Sequence, residues 1–382
     1  MIDKNKKNIL VIAGEVSGDL IGASLIKELK KTDPALMFYG IGGDKMLAEG
    51  MGVSYHINQM AFLGFVEVIK HLPFIKKAQR KLIELVKSKN IKVAVLIDYP
   101  GFNLSIANKL KALGVKIIYY VSPQLWAWGS GRIKKVRDLV DKMLVVFPFE
   151  EKMYKDNNVN VQFVGHPLVE RINNHEFLLY EDLCSKFQLD KEKNILLVMP
   201  GSRENEVKKI FPQSIKAAGR IASEFDMQIV VSCSSNLSEK HFSDYSDVVD
   251  FKLIKGFNYD LMKHAKFGII KSGTSTLEAG YFALPMLIVY KTNYLTYLVI
   301  KKLIKVDSIG IVNILLEEKI VPELIQNRLT ENLVYEKSKE ILSNLSEYEK
   351  IKTKLIEVKN KLAGETASVS AAKSIYKIIN ES

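Results

Sequence analysis

The stretch Ile269 to Tyr290, IIKSGTSTLEAGYFALPMLIVY, decides how the chain is read. An apolar run ending in FGII stops at Lys271, small and hydroxyl-bearing residues follow at Ser272, Gly273, Thr274, Ser275 and Thr276, and helix formers take over at Leu277, Glu278 and Ala279. That order spells strand, tight turn, helix. The first N–H groups of such a helix lack partners within it and its dipole leaves positive potential there, so the turn suits a phosphate or diphosphate. Gly273 lets the backbone approach closely, the hydroxyls add donors, and Glu278, about one turn into the helix, is an acceptor within reach of a ribose diol. A Ser or Thr that merely caps the helix, with Glu278 complementing its dipole, accounts for the same residues without a ligand. The flanking segments decide between these readings.

The strand, turn, helix unit recurs. NILVIAG leads into Glu15-Val16-Ser17-Gly18-Asp19 and a helical pattern; VAVLI ends at Asp98, where Pro100 and Gly101 force a turn; NILLVMP precedes Gly201-Ser202-Arg203 and another helix. Continuously apolar strands belong to parallel sheets covered on both faces. The pattern therefore predicts an α/β protein, and 382 residues suit two domains rather than one core. A polar section from Val169 to Lys193 lacks sheet periodicity and holds the junction. The expected division is a first domain over 1–180, a second over 181–350, and closing helices over 351–382 that are free to pack back on the first domain.

Strand ends in open parallel sheets are where sites form. Glu15, Asp19 and Asp98 all lie at such ends, and a carboxylate there serves as a general base if its surroundings raise its pKa, or as an anchor if they do not. The glycine spacing at 14–18 is not the dinucleotide fingerprint, so no dinucleotide cofactor is expected. Arg203 offers a fork of donors beside a helix start, a good partner for a diphosphate, with Ser202 and Lys271 at the same kind of position. Asn313 and Glu323 are read as loop-borne polar residues that complete a nucleotide pocket.

Composition narrows the partners. The formal charge of +12 favours an anionic one. The lysines are dispersed and no nucleic-acid motif is present, which ranks nucleic acid last behind a phosphorylated substrate or an anionic membrane surface. Phe62 and Phe65 belong to an apolar run followed closely by Lys76, Lys77, Arg80 and Lys81, the make-up of an interfacial segment, of a core helix with a solvated face, or of an acyl-chain groove. Trp126 and Trp128 form an aromatic loop before a basic helix whose Arg132 suits lipid phosphate, although a solvated face is the commoner use of such charges. No window reaches membrane-spanning length, the amino terminus is unlike a signal peptide, and Cys184 and Cys233 form no CxxC pair. A reducing compartment is the default, and without zinc-ligand spacing no metal is expected.

Six motifs taken in order resemble the lipid-A-disaccharide synthase family: Ala13 to Asp19; Val121-Ser122-Pro123-Gln124 with Trp126-Ala127-Trp128; Val164-Gly165-His166-Pro167; Pro200-Gly201-Ser202-Arg203; Ser272-Gly273-Thr274 with Thr276-Leu277-Glu278; and Val321-Pro322-Glu323-Leu324. The resemblance implies a B-type glycosyltransferase, two Rossmann-like doubly wound domains facing across a cleft, needing neither metal nor cofactor. It implies UDP-2,3-diacylglucosamine as donor and 2,3-diacylglucosamine 1-phosphate as acceptor, joined to a β-1,6 disaccharide phosphate with release of UDP. By that analogy Asp98 is the base, with Glu15 and Asp19 its rivals, while Phe62, Phe65, Trp126, Trp128 and Arg132 serve the acceptor or the cytoplasmic face of the inner membrane, to which the protein would bind peripherally. Monomer and homodimer both stay open. One departure stands out: Gly129-Ser130-Gly131 precede Arg132 where the family carries a basic residue directly after its WAW motif, so a phosphate contact would shift to Arg132 or Lys134. The competing readings are a UDP-N-acetylglucosamine 2-epimerase-like isomerase and a nucleotide-gated lipid-binding protein without catalysis.

Overall fold

The continuously apolar runs become the middle strands of two all-parallel sheets. The computed structural model describes residues 7–60, 71–125, 130–234, 237–293, 297 and 308–381. These belong to two compact units, Met1–Arg171 together with Ala363–Ser382, and Ile172–Leu362.

In the first unit the strands are β1 (Asn8–Ala13), β2 (Met37–Gly42), β3 (Gly52–His56), β4 (Val93–Ile97), β5 (Lys116–Tyr120), β6 (Lys142–Val145) and β7 (Val161–Phe163). Their order is β3-β2-β1-β4-β5-β6-β7. From β1 the chain winds outward through β2 and β3, then returns to the other side of β1 as β4 and winds away through β5 to β7. The winding reverses between β1 and β4, whose registers end together at Ala13 opposite Ile97. Both faces are covered: Leu10, Ile12, Ala94 and Leu96 on one and Val11, Val95, Ile97 and Ile118 on the other are inaccessible to solvent. Apolar contact on both sides stabilises such strands without any alternation in sequence. The helix Leu72–Ser88 buries Ala78, Gln79, Leu82 and Val86 and leaves Lys76, Lys77, Arg80 and Lys81 exposed. Phe62 and Phe65, just before it, lie outside the described residues, as do Trp126 and Trp128.

The second unit repeats the plan with β8 (Asn194–Met199), β9 (Met227–Cys233), β10 (Lys252–Lys255), β11 (Ala265–Lys271), β12 (Met286–Tyr290) and β13 (Glu323–Ile325), ordered β10-β9-β8-β11-β12-β13. Here the winding reverses between β8 and β11, with Met199 beside Ile270.

The boundary lies within the expected Val169–Lys193 section and part of the closing region packs back on the first unit, but the exact limits differ. The unit boundary falls at Arg171 and Ile172, ahead of 180, because the segment after it is tied to the second unit: the Asp260 carboxylate accepts the Leu178 N–H at 2.8 Å and contacts the His175 ring at 2.8 Å. The closing helices divide between the units. Leu345–Leu362 packs on Thr274–Tyr281 in the second unit. Ala367–Asn380 packs on Val16–Thr32 in the first, where the Ser368 N–H and hydroxyl both donate to the Glu170 carboxylate at 3.2 and 2.8 Å.

That last helix contributes to the first unit's core through Ile375, which is fully buried, whereas Ile356 on the preceding helix is 49% exposed. Ile375→Ala is expected to cost about 2–4 kcal/mol. Ile356→Ala should stay within about 0.5 kcal/mol of the parent. Urea unfolding followed by circular dichroism measures both.

Candidate functional site

Where a parallel sheet reverses its winding, the loops leaving the two adjoining strands depart to opposite faces and leave a crevice at the strands' carboxyl ends. In the second unit those ends carry Gly201-Ser202-Arg203 after β8 and Ser272-Gly273-Thr274 after β11. Both turns line a cavity of about 290 Å3, with Lys271, Ser275 and Glu206 beside them and Ser232, Ser234 and Asn258 from the neighbouring strand ends. Gly201 (φ +127°) and Gly273 (φ +149°) occupy backbone conformations that side chains resist, so both turns need glycine. Helices begin at each turn, Glu204–Phe225 and Thr274–Tyr281, and their first N–H groups are donors that the helices cannot satisfy internally. Two cations line the cavity: Lys271, whose Nζ is 2.9 Å from a Glu206 oxygen, and Arg203, whose side chain is 63% exposed. Two helix starts and two cations around a cavity of this size form an anion site suited to a diphosphate.

The turn's hydroxyls divide in function. The Ser272 hydroxyl donates to the Ile309 carbonyl at 2.8 Å and the Thr276 hydroxyl to the Gly273 carbonyl at 2.8 Å. They build the turn and are not ligand donors, which corrects that part of the sequence reading; Thr274 and Ser275 line the cavity. Glu278 is half-buried on the following turn of the helix. Asn313 and Glu323 also differ from expectation. Neither is in a loop: Asn313 lies within the helix Ile311–Leu316, and Glu323 opens β13. The Glu323 carboxylate accepts N–H bonds from Ile309 and Gly310, both at 3.0 Å, and one from the Asn313 amide at 2.8 Å, while the Asn313 oxygen accepts from Ile320 and Val321. With both side chains buried and bonded in this way, they brace the 309–310 segment that holds Ser272.

In the first unit the reversal places carboxylates instead. Glu15 follows β1 and is exposed; Asp98 follows β4 and is half-buried. Burial, and then the negative charge of Glu15, push the Asp98 carboxyl up to about 6, opposed by a bond from the Tyr99 backbone N–H. The backbone here is left-handed at two consecutive residues, Asp98 (φ +46°) and Tyr99 (φ +47°). Such conformations cost on the order of 1–3 kcal/mol each and persist where neighbours enforce them. The Asp98 N–H donates to the Tyr120 carbonyl at 2.9 Å, and the Asp98 carbonyl accepts the Tyr119 hydroxyl at 2.6 Å and the Asn103 amide at 2.7 Å. Tyr99 is fixed in turn by its hydroxyl on the Met60 carbonyl at 2.9 Å and by its ring over Gly14, where any Cβ would come within 2.3 Å of a ring carbon. A carboxylate so held, with a pKa raised to about 6, is suited to accept a proton from an alcohol.

Asp19 is not part of that arrangement. Its Oδ1 accepts the N–H groups of Gly43 (2.7 Å) and Met46 (3.1 Å) and its Oδ2 that of Lys45 (3.1 Å), so it caps the short helix Asp44–Ala48 and is 4% exposed. Three backbone donors consume the carboxylate, and the proposed rivalry with Asp98 reduces to Glu15. Arg132 is exposed at the start of the helix Ile133–Leu139, which buries Val136 and Leu139 and faces its basic residues to solvent.

The sequence reading missed several participants. Asn103 and Tyr119 carry no local signal that marks them; Ser232 and Asn258, whose side chains meet at 2.6 Å, follow from the same strand-end rule applied to β9 and the segment after β10. Glu206 carried no signal beyond its place in a helix's first turn.

Residues 9–379 match the family model described as Lipid-A-disaccharide synthetase. The lipid-A-disaccharide synthase of Geobacter sulfurreducens is 36% identical over 384 residues, covering 100% of both chains. That of Coxiella burnetii is 36% identical over 376 residues, 98% of this chain and 99% of its own. Among solved structures, the UDP-GlcNAc 2-epimerase of Neisseria meningitidis bound to UDP-GlcNAc aligns with a TM-score of 0.64 at 12% identity, covering 98% of this chain and 100% of that one. The glycotransferase of kitacinnamycin aligns with a TM-score of 0.66 at 11% identity, covering 98% and 100%. At such identities the structural neighbours share the fold alone, the two Rossmann-like domains of B-type glycosyltransferases, while the full-length sequence relatives settle the family. The chain belongs to the lipid-A-disaccharide synthase family.

Proposed function

We propose that the protein is a hexosyltransferase that moves the 2,3-diacylglucosaminyl group of UDP-2,3-diacylglucosamine to the 6-hydroxyl of 2,3-diacylglucosamine 1-phosphate, with inversion. The observation that carries this reading is the cationic cavity of the second unit, lined by two glycine turns at the winding reversal together with Lys271 and Arg203. Asp98 takes the proton of the 6-hydroxyl as its oxygen attacks the anomeric carbon from the face opposite UDP. The bond from that carbon to the β-phosphate oxygen breaks, and its electron pair leaves on UDP. Lys271, Arg203 and the start of the helix Thr274–Tyr281 stabilise the negative charge that grows on the diphosphate, and Glu278 holds the ribose. Ser202, Gly273, Thr274 and Ser275 shape the diphosphate subsite.

Among the described residues no helix is long and apolar enough to cross a membrane. The lysine-bearing face of Leu72–Ser88, directly after the apolar run containing Phe62 and Phe65, supports peripheral contact with an anionic lipid surface, from which acyl-chain substrates are drawn. The cytoplasmic face of the inner membrane is the proposed location, and Arg132 with the tryptophan loop a second point of contact.

Supplying both acylated sugars should yield UDP together with a β-linked disaccharide phosphate, detected by mass spectrometry; an epimerised sugar nucleotide formed from the donor alone would refute the transferase reading. Asp98→Asn should lower turnover by about 10²–10⁴-fold. The same substitution should stabilise the fold. Because burial raises the folded-state pKa of Asp98, its ionised form is disfavoured in the native state; the penalty grows as pH rises from about 4 through about 6 and is complete above. Discounted for partial exposure, Asp98→Asn is expected to gain about 1–2 kcal/mol at pH 8 and nothing at pH 4. Chemical denaturation at the two pH values reads it. Replacing Lys76, Lys77 and Arg80 together by Glu should abolish sedimentation with phosphatidylglycerol vesicles at low salt while leaving turnover of detergent-dispersed substrate unchanged.

A further inference from the structure

Glu206 is the feature of the donor cavity that anion binding does not explain. It stands in the first turn of the helix Glu204–Phe225, yet its carboxylate turns back into the cavity with only 15% of the side chain exposed, whereas Glu204 beside it is 52% exposed and pairs with Lys208. One oxygen lies 2.9 Å from Lys271 Nζ and 3.7 Å from Arg203. The other accepts the Ser202 N–H at 3.2 Å. The turn is shaped around it: a Cβ on Gly201 would come within 2.6 Å of that oxygen and 2.9 Å of the Glu206 Cβ. A single carboxylate thus engages both cations lining the cavity and a backbone donor of the turn.

A diphosphate seeks those same groups. Lys271 and Arg203 supply two positive charges, and Glu206 reduces the local sum to one. The carboxylate holds the two cationic side chains in place while repelling the anion they serve, and at a few ångströms in a partly buried site that repulsion is not screened away. The repulsion matters most for the product. When the glycosyl bond breaks, the phosphate gains a negative charge, so a site carrying both cations and no counter-charge would hold UDP more tightly than the sugar nucleotide, and turnover would be limited by its departure.

We infer that Glu206 is a positioning residue that fixes Lys271 and Arg203 and, as a built-in competing anion, sets the affinity for UDP low enough for release. The inference rests on the donor reading of this cavity. Glu206→Gln keeps the shape and an acceptor for the Ser202 N–H but removes the charge. Calorimetric titration of the full-length variant with UDP should show binding tightened about tenfold. Binding of uridine, which lacks the diphosphate, should not change. In steady-state assays kcat should fall, with a burst of disaccharide product in the first turnover and stronger inhibition by UDP, whereas Glu206→Asp, which retains the charge, should stay near the parent in UDP affinity. A residue that only caps the helix would alter stability and leave the preference for UDP over uridine where it was. Unchanged or weakened UDP binding in folded Glu206→Gln overturns the inference. Glu206→Ala provides the same reading if the Gln variant does not fold. Failure of the parent protein to bind UDP at all would refute instead the donor reading on which the inference stands.

Discussion

The reversal of winding within each parallel sheet is the constraint on which everything else rests. Helices can cover both faces of such a sheet only if the chain turns back across one of its central strands, and the turning point leaves two adjoining strand ends without a loop crossing over them. Here those pairs are β1 with β4 and β8 with β11. The apolar strands do no chemistry, but their burial makes the ends rigid. Polar groups placed there are held by backbone geometry and sit partly out of water, where charge interactions are stronger.

The two units use the same device for opposite charges. At β8 and β11 the turns contribute glycine backbone, helix starts, Lys271 and Arg203, which suits a departing diphosphate. At β1 and β4 they contribute Glu15 and Asp98, and the proximity of two carboxylates with the burial of one raises its proton affinity. Left-handed backbone at Asp98 and Tyr99 costs the fold some stability, and the bonds from Tyr119 and Asn103 to the Asp98 carbonyl enforce it.

Much of this was legible beforehand because it follows from local pattern. VAVLI, NILLVMP and FGII read as parallel strands from continuous apolarity, and strand ends at Asp98, Gly201 and Gly273 are marked by Pro, Gly and hydroxyl residues. What the sequence concealed depended on long-range partners. Asp19 looks like an active-site acid until the helix Asp44–Ala48 arrives to occupy its oxygens. Asn313 and Glu323 look like pocket residues, yet they satisfy each other and the 309–310 backbone. Glu206 looks like an ordinary helix-start acid, and only the fold brings Lys271, far along the chain, against it. The closing helix returns to the first unit because its apolar stripe matches the surface of Val16–Thr32, a match no local spacing reveals.

The central claim is that Asp98, its proton affinity raised by burial and by Glu15, is the group that activates the acceptor. Its most direct measurement is the pH dependence of kcat/KM for the parent and for Glu15→Gln. The account predicts an acid limb with a midpoint near 6 in the parent, shifted to lower pH when the Glu15 charge is removed. A parent profile flat between pH 5 and 7, or a limb that stays in place in Glu15→Gln, would contradict it.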